Sequence, residues 1–342
     1  MKNNKNARVT IKDIAKYTGY SIATVSRVLN DSGVFYSQET FKKIKKAIED
    51  LKYQPDAIAR GLKTKKTFNI AFLEPWTSEF FSEIFLGIQD TANQAGYSVA
   101  IFSSNFDKSQ EEKNISSILS NRFDGVIISS AILNKENINK LISHNIPVVI
   151  IEKFIDLKEI PAISIKNLEI SKKAVKYLME LGHKKIGFMG EPLEVGRVDS
   201  RFRGYSKALE EGGFGFNQEY IFVNENFRGE DYARSFKHII ENIEKIKKCT
   251  AIFITSDKIA IILIKALKNA GLSVPRDISV IGFDGLEISK YISPSLTTIL
   301  QPRYEMGSRA MGMILKIING AKPENIELKA ELVIGESTAP PK

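Results

Sequence analysis

The 342-residue sequence predicts an α/β protein in two parts, a small basic helical module followed by two doubly wound sheets. Three observations predict it. Of 49 Lys and Arg against 40 Asp and Glu, 15 basic and 6 acidic side chains fall before position 67, so that end carries the whole net charge of +9 and the rest balances at 34 of each sign. Within the basic end, apolar residues recur at helical spacing in three short runs. Beyond it, short β-branched runs alternate with amphipathic stretches of helical length, the pattern of parallel strands covered by helices.

Composition narrows the function classes. With 43% hydrophobic and 26% charged residues the chain has an ordinary globular mixture and enough length for a sizeable core. No apolar run approaches the ~20 residues of a membrane helix. The polar, basic start from Met1 to Arg8 has no apolar core of a signal peptide and is expected to direct no export. Cys249 is the only cysteine, which excludes disulfides within the chain and cysteine-based metal sites and fits a reducing cytoplasm. There is no Gly-x-x-x-x-Gly-Lys-[Ser/Thr] loop and no His-Glu-x-x-His. The glycines at 212, 213 and 215 miss dinucleotide-binding spacing and follow a helical stretch, and His144, His183 and His238 are scattered singly. No catalytic residue, metal or cofactor is expected, and the chain does not read as an enzyme.

Each element has its own warrant. Thr10 and Asp13 have the spacing of a capping box for a first helix with Ile11, Ile14 and Ala15 on one face. Gly19 permits a tight turn, and Ser21 caps a second helix whose Val25, Val28 and Leu29 pack back while Ile22, Ala23, Thr24 and Arg27 point away. Two helices so joined form a helix-turn-helix, the geometry that sets its second helix in a DNA major groove. A third helix starts after Ser37 and offers Phe41, Ile44, Ala47, Ile48 and Leu51 to a small core, with Lys42, Lys43, Lys45 and Lys46 on or near its outer face. The segment 54–66 follows. Pro55 can open a helix there, but so short a stretch containing Gly61 cannot hold one alone in water. Strands are expected over 68–73, 98–103, 125–129, 147–151, 162–165, 185–189, 251–255 and 279–283. Helices are expected over 78–95, 167–182, 257–271 and 303–318. About ten strands imply two sheets, with ligands at the carboxyl ends of their strands.

The stretches Val9-Thr-Ile-Lys-Asp-Ile-Ala-Lys-x-x-Gly19, Ser21-x-Ala-Thr-Val-Ser-Arg-Val-Leu-Asn30 and Tyr53-x-Pro-x-Ala-Ile-Ala-Arg-x-Leu62 resemble the DNA-binding headpiece of the LacI/GalR family of bacterial transcription regulators. The resemblance implies three domains: a helix-turn-helix headpiece over 1–53, a hinge helix and linker over 54–66, and an effector-binding and dimerisation domain over 67–342. The last would hold two Rossmann-like subdomains of periplasmic-binding-protein type joined by three crossovers. It implies base readout by Ile22, Ala23 and Arg27, with Arg27 suited to a bidentate guanine contact, and phosphate contacts from Thr10, Ser21, Thr24, Ser26 and Asn30. It further implies a hinge helix that orders on DNA, with Ala59, Arg60 and Leu62 at the minor groove and Leu62 as an apolar wedge. Asp56 departs from the usual Asn or Ser after the hinge proline, and Phe41 from the usual Arg.

Carried onto the strand ends, the resemblance implies an effector cleft with Asp284 and Arg201 as polar ligands and Ser256 beside them; Trp76, the sole tryptophan, reads either as an aromatic face for a sugar ring or as a core side chain, with Phe227 a similar candidate. The implied partners are double-stranded operator DNA, a small effector, most often a sugar or sugar phosphate, and a second copy of the chain, with tetramers left open. No membrane partner is expected; the place is the bacterial cytoplasm, on the nucleoid. Two alternatives stand beside this. One is a regulator whose corepressor is a phosphorylated carrier protein, as in carbon catabolite control proteins, against which Gly312 stands where an Arg is expected after Ala310-Met311. The other is an exported-type sugar receptor, opposed by the headpiece.

Overall fold

The computed structural model describes residues 9–29, 36–54, 66–129, 135–152, 160–192, 196–227, 231–322 and 324–342. The chain divides into two units, Met1–Thr67 and Phe68–Lys342.

The first unit contains α1 (Ile11–Thr18), α2 (Ile22–Leu29) and α3 (Gln38–Asp50). Its helix starts are written by short polar side chains. Thr10 donates both its backbone N–H and its hydroxyl to the Asp13 carboxylate, at 2.8 and 2.7 Å, and these bonds hold Asp13 below the usual carboxylate range. Ser21 accepts from the Thr24 amide and Ser37 from the Thr40 amide, each at 3.1 Å. Gly19 ends α1 at φ 77°, where a side chain would be strained. Ile14, Val25, Val28, Ile44 and Ala47 form the buried core. Phe41 corrects the sequence reading. It is exposed, stacked on Tyr36 with ring centroids 5.9 Å apart, with the Lys45 ammonium 5.5 Å from its ring. Ile44 and Ala47 already fill the space against α1 and α2, so the ring a turn earlier pairs locally.

The second unit holds two six-stranded sheets. The first runs in the order β2 (Ser98–Ser103), β1 (Asn69–Glu74), β3 (Gly125–Ser129), β4 (Val148–Ile151), β5 (Ala162–Ile165), β11 (Ile326–Leu328). The second runs β7 (Ile221–Val223), β6 (Ile186–Gly190), β8 (Ala251–Ile254), β9 (Ser279–Asp284), β10 (Thr297–Leu300), β12 (Glu331–Val333). Pairing is parallel throughout except β10 with β12. Strands β1, β3, β4, β6 and β8 are buried along almost their whole length, which is why they read as continuous apolar runs. The sequence did not reveal β7, β10, β11 and β12; three of them are only three residues long.

Helices α4 (Glu79–Gln94), α5 (Lys108–Ser120), α6 (Lys135–Ser143) and α12 (Arg303–Ile318) pack with the first sheet, and α7 (Asn167–Glu180), α8 (Gly196–Glu211), α9 (Tyr232–Glu241), the single turn α10 (Ile243–Ile246) and α11 (Asp257–Asn269) with the second. The chain therefore crosses between subdomains three times: from β5 to α7, from β10 to α12, and from β11 to β12. Helices α4 and α12 cross closely. A Cβ on Gly87 would overlap the Tyr304 carbonyl oxygen, and one on Gly307 the Ile84 carbonyl oxygen, so both positions need glycine to let the backbones meet.

Candidate functional site

On the headpiece, α2 presents one outward face. Ile22 is 46% exposed, Ala23 and Arg27 are exposed, and Thr24 and Ser26 are half-buried. Several of the hydroxyls named from sequence have local duties. The Thr10 proton goes to Asp13, and Ser21 and Thr24 face each other at 2.9 Å while Ser21 caps α2. Asn30 and the hinge residues Ala59, Arg60 and Leu62 lie outside the described residues.

In the α/β unit, the carboxyl ends of five strands open onto one cleft between the two sheets, as the strand polarity requires. It opens to solvent and is lined by residues of both subdomains. All five effector candidates line it: Trp76 after β1, Arg201 on α8, Phe227, Ser256 after β8, and Asp284 at the end of β9. Their situations differ. Trp76 is half-buried, stacked on Phe106 at 4.8 Å and edge-on to Phe81 at 5.3 Å, so its ring is fixed while part of it faces the cleft. Phe227 is only 3% exposed and packs against His238, so it is more a wall than a platform. Ser256 stands before α11 and makes no capping bond with its own side chain.

Arg201 is the fixed point of the cleft. At 2% exposure its guanidinium donates to the Thr255 carbonyl (2.7 Å), the Asn167 side chain (2.9 Å) and the Glu152 carboxylate (3.4 Å), and it lies 3.6 Å from the Phe283 ring centre. Asp284 accepts from the Gln301 amide at 3.0 Å. Burial raises its pKa to about 7; Arg201 and Arg303 pull it down, and Asp257 and Glu152 push it further up. Asp257, next to Ser256, is wholly buried and accepts from the Leu286 amide, the Ser289 hydroxyl and the Thr298 hydroxyl at 2.8, 2.8 and 2.5 Å. It fastens α11 to the loop after β9, a structural duty. Burial raises its pKa against those three donors.

Two lining carboxylates escaped the sequence reading, Glu152 after β4 and Glu191 after β6. Their signal was the same strand-end position that pointed to Asp284. Lys258, on the first turn of α11, also lines the cleft. Among the described residues no group of three His, Cys, Asp or Glu could hold a metal ion, and no helix is long and apolar enough to cross a membrane.

A model of the bacterial regulatory proteins of the lacI family matches residues 10–56, and one of the periplasmic binding protein-like domain matches 175–338. The catabolite control protein A of Priestia megaterium is 33% identical over 313 residues, covering 91% of this chain and 93% of that protein. The chain belongs to the LacI family. The lac repressor dimer bound to operator and the anti-inducer ONPF superposes with a TM-score of 0.84 at 26% identity, covering 97% of this chain and all of that one. A periplasmic binding protein/LacI transcriptional regulator from Alkaliphilus metalliredigens, complexed with D-xylulofuranose, gives a TM-score of 0.71 at 27% identity, over 79% of this chain and 98% of that one. This LacI-family chain is thus a DNA-binding transcriptional regulator with a periplasmic-binding-protein-like ligand domain, and its relatives are regulators, not enzymes.

Proposed function

We propose that the protein represses transcription as a homodimer on a pseudo-palindromic operator, and that a sugar or sugar phosphate in the cleft sets its operator affinity. The observation that carries the effector half is the convergence of Trp76, Arg201, Ser256 and Asp284 on one solvent-open cleft. An aromatic edge with a carboxylate, a hydroxyl and a guanidinium suits a ring bearing several hydroxyls. Arg201 already donates to three protein acceptors, and the described lining carries three carboxylates, Glu152, Glu191 and Asp284, beside the two cations Arg201 and Lys258. That balance favours a neutral sugar over a phosphorylated one. The D-xylulofuranose complex of the Alkaliphilus relative supports the same class.

On the DNA side, Ile22, Ala23 and Arg27 read bases in the major groove and Thr10, Ser21, Thr24, Ser26 and Asn30 hold phosphates. The 54–66 hinge carries the message, with Ala59, Arg60 and Leu62 in the minor groove. Effector bound between subdomains changes their angle and so orders or melts the paired hinges; differential affinity for two cleft geometries is the physical requirement. The operator places the protein on the nucleoid.

A thermal-shift panel of neutral sugars and sugar phosphates on the full chain tests the effector class: a neutral sugar raises the melting temperature and its phosphate does not. Similarity to a catabolite control protein supports a second reading, a phosphorylated carrier protein as corepressor. Stabilisation by no sugar, together with stabilisation by such a carrier, would favour it.

A further inference from the structure

The Asp284–Gly285 turn is an unusual piece of backbone. Asp284 has φ 130°, a conformation that residues with a side chain rarely adopt, and Gly285 has φ 68° with Leu300 so close that a Cβ would collide with its backbone. Such a turn persists only when its surroundings hold it. Arg303, 4% exposed at the start of α12, does so: its guanidinium donates to the Asp284 carbonyl and, at 3.1 Å, to the Gly285 carbonyl. The same guanidinium binds Glu83 on α4, with Nε at 2.7 Å and Nη2 at 2.5 Å from one carboxylate oxygen. The turn belongs to the second subdomain and α4 to the first. A further tie runs beside it, from the Glu287 amide to the Glu79 carboxylate at 3.0 Å.

We propose that Arg303 is a positioning residue that clamps the Asp284–Gly285 turn of one subdomain to Glu83 of the other, so that the aim of the Asp284 carboxylate depends on where α4 lies. The inference rests on the reading of Asp284 as an effector ligand. It supplies what a cleft signal needs, one group that senses both the ligand-binding carboxylate and the relative placement of the subdomains. No other described side chain bonds to both carbonyls of the turn and to α4.

Hydrogen–deuterium exchange of the full chain without effector tests the clamp, in Glu83→Gln, Arg303→Met, Arg303→Lys and the Glu83→Gln/Arg303→Met pair. Glu83→Gln speeds exchange in 285–289, across the subdomain boundary, about threefold or more. Arg303→Met speeds it about tenfold, and the pair adds nothing beyond Arg303→Met. Wild-type rates in 285–289 for Glu83→Gln, or additive effects, overturn the clamp. Should Arg303→Met fail to fold, Glu83→Gln on the half-exposed face of α4 still decides. A readout that mere structural support would not move comes from Trp76, the sole tryptophan, whose emission is followed from pH 5 to 9. The groups facing Asp284 are Arg201 from α8, Asp257 from α11, Glu152 after β4, and Arg303 and Gln301 from the α12 side. The wild type gives a step near neutral pH that Asp284→Asn removes. Arg303→Met moves it upward and the charge-keeping Arg303→Lys moves it less. A flat wild-type profile, or a step unmoved in Arg303→Met, contradicts the proposal. Because no sugar is used, the clamp can stand while Asp284 proves not to bind effector, and the two failures stay distinct.

Discussion

Asp284 is where the geometry and the electrostatics of the cleft meet. Its carboxyl keeps its proton to about pH 7, whereas an aspartate in the unfolded chain releases it near ~3.9. The folded state therefore binds the proton more tightly, so stability present below about pH 4 is lost as pH rises through about 7. Asp284→Asn should stabilise the protein at pH 8 by about 1–2 kcal/mol, after discounting the shift for an open cleft. At pH 5 it should do much less. Thermal melts at both pH values check this, and equal gains would contradict it. At this scale the sequence was informative where a polar residue ended an apolar run in the family's register, as with Asp284 and Ser256, both of which line the cleft. It was silent on Arg303. An arginine after Gln301-Pro302 reads as the start of a helix, and nothing local announces that its side chain is buried among two carbonyls and a distant glutamate.

Among the elements, the long buried strands and the helices expected over 78–95, 167–182, 257–271 and 303–318 were legible because their periodicity is repeated over many residues, and their observed ends fall within two residues of the expected ones. Short edge elements such as β7, β11 and β12 were not, since three residues carry no period and their pairing is settled by tertiary neighbours. The α4–α12 crossing was invisible for the same reason: Gly87 and Gly307 matter only once the two helices touch. Gly307→Ala should lower stability by about 1–3 kcal/mol by forcing that crossing apart, read as a reduced urea midpoint with unchanged slope; an unchanged midpoint would contradict the close approach. For the proposed hinge, Leu62→Ala should weaken binding to operator far more than to random-sequence DNA, because a wedge at this position would act only where the duplex is kinked. Equal losses in a competition gel shift would count against it.

For the whole molecule, the charge distribution already separates the work. A basic headpiece supplies salt-sensitive attraction to any duplex, and in the proposed function the neutral α/β unit supplies a cleft whose state decides how well two headpieces fit one operator. The proposed regulation depends on that coupling more than on any single contact. Its most direct test is operator affinity, by fluorescence anisotropy, for wild type and Asp284→Ala, with and without a neutral sugar that stabilises the wild type. The sugar should change the wild-type operator Kd about tenfold or more. Asp284→Ala should bind operator within about threefold of wild type and show no response to the sugar. A variant that still responds, or one that has lost operator binding altogether, would contradict a cleft that signals through Asp284.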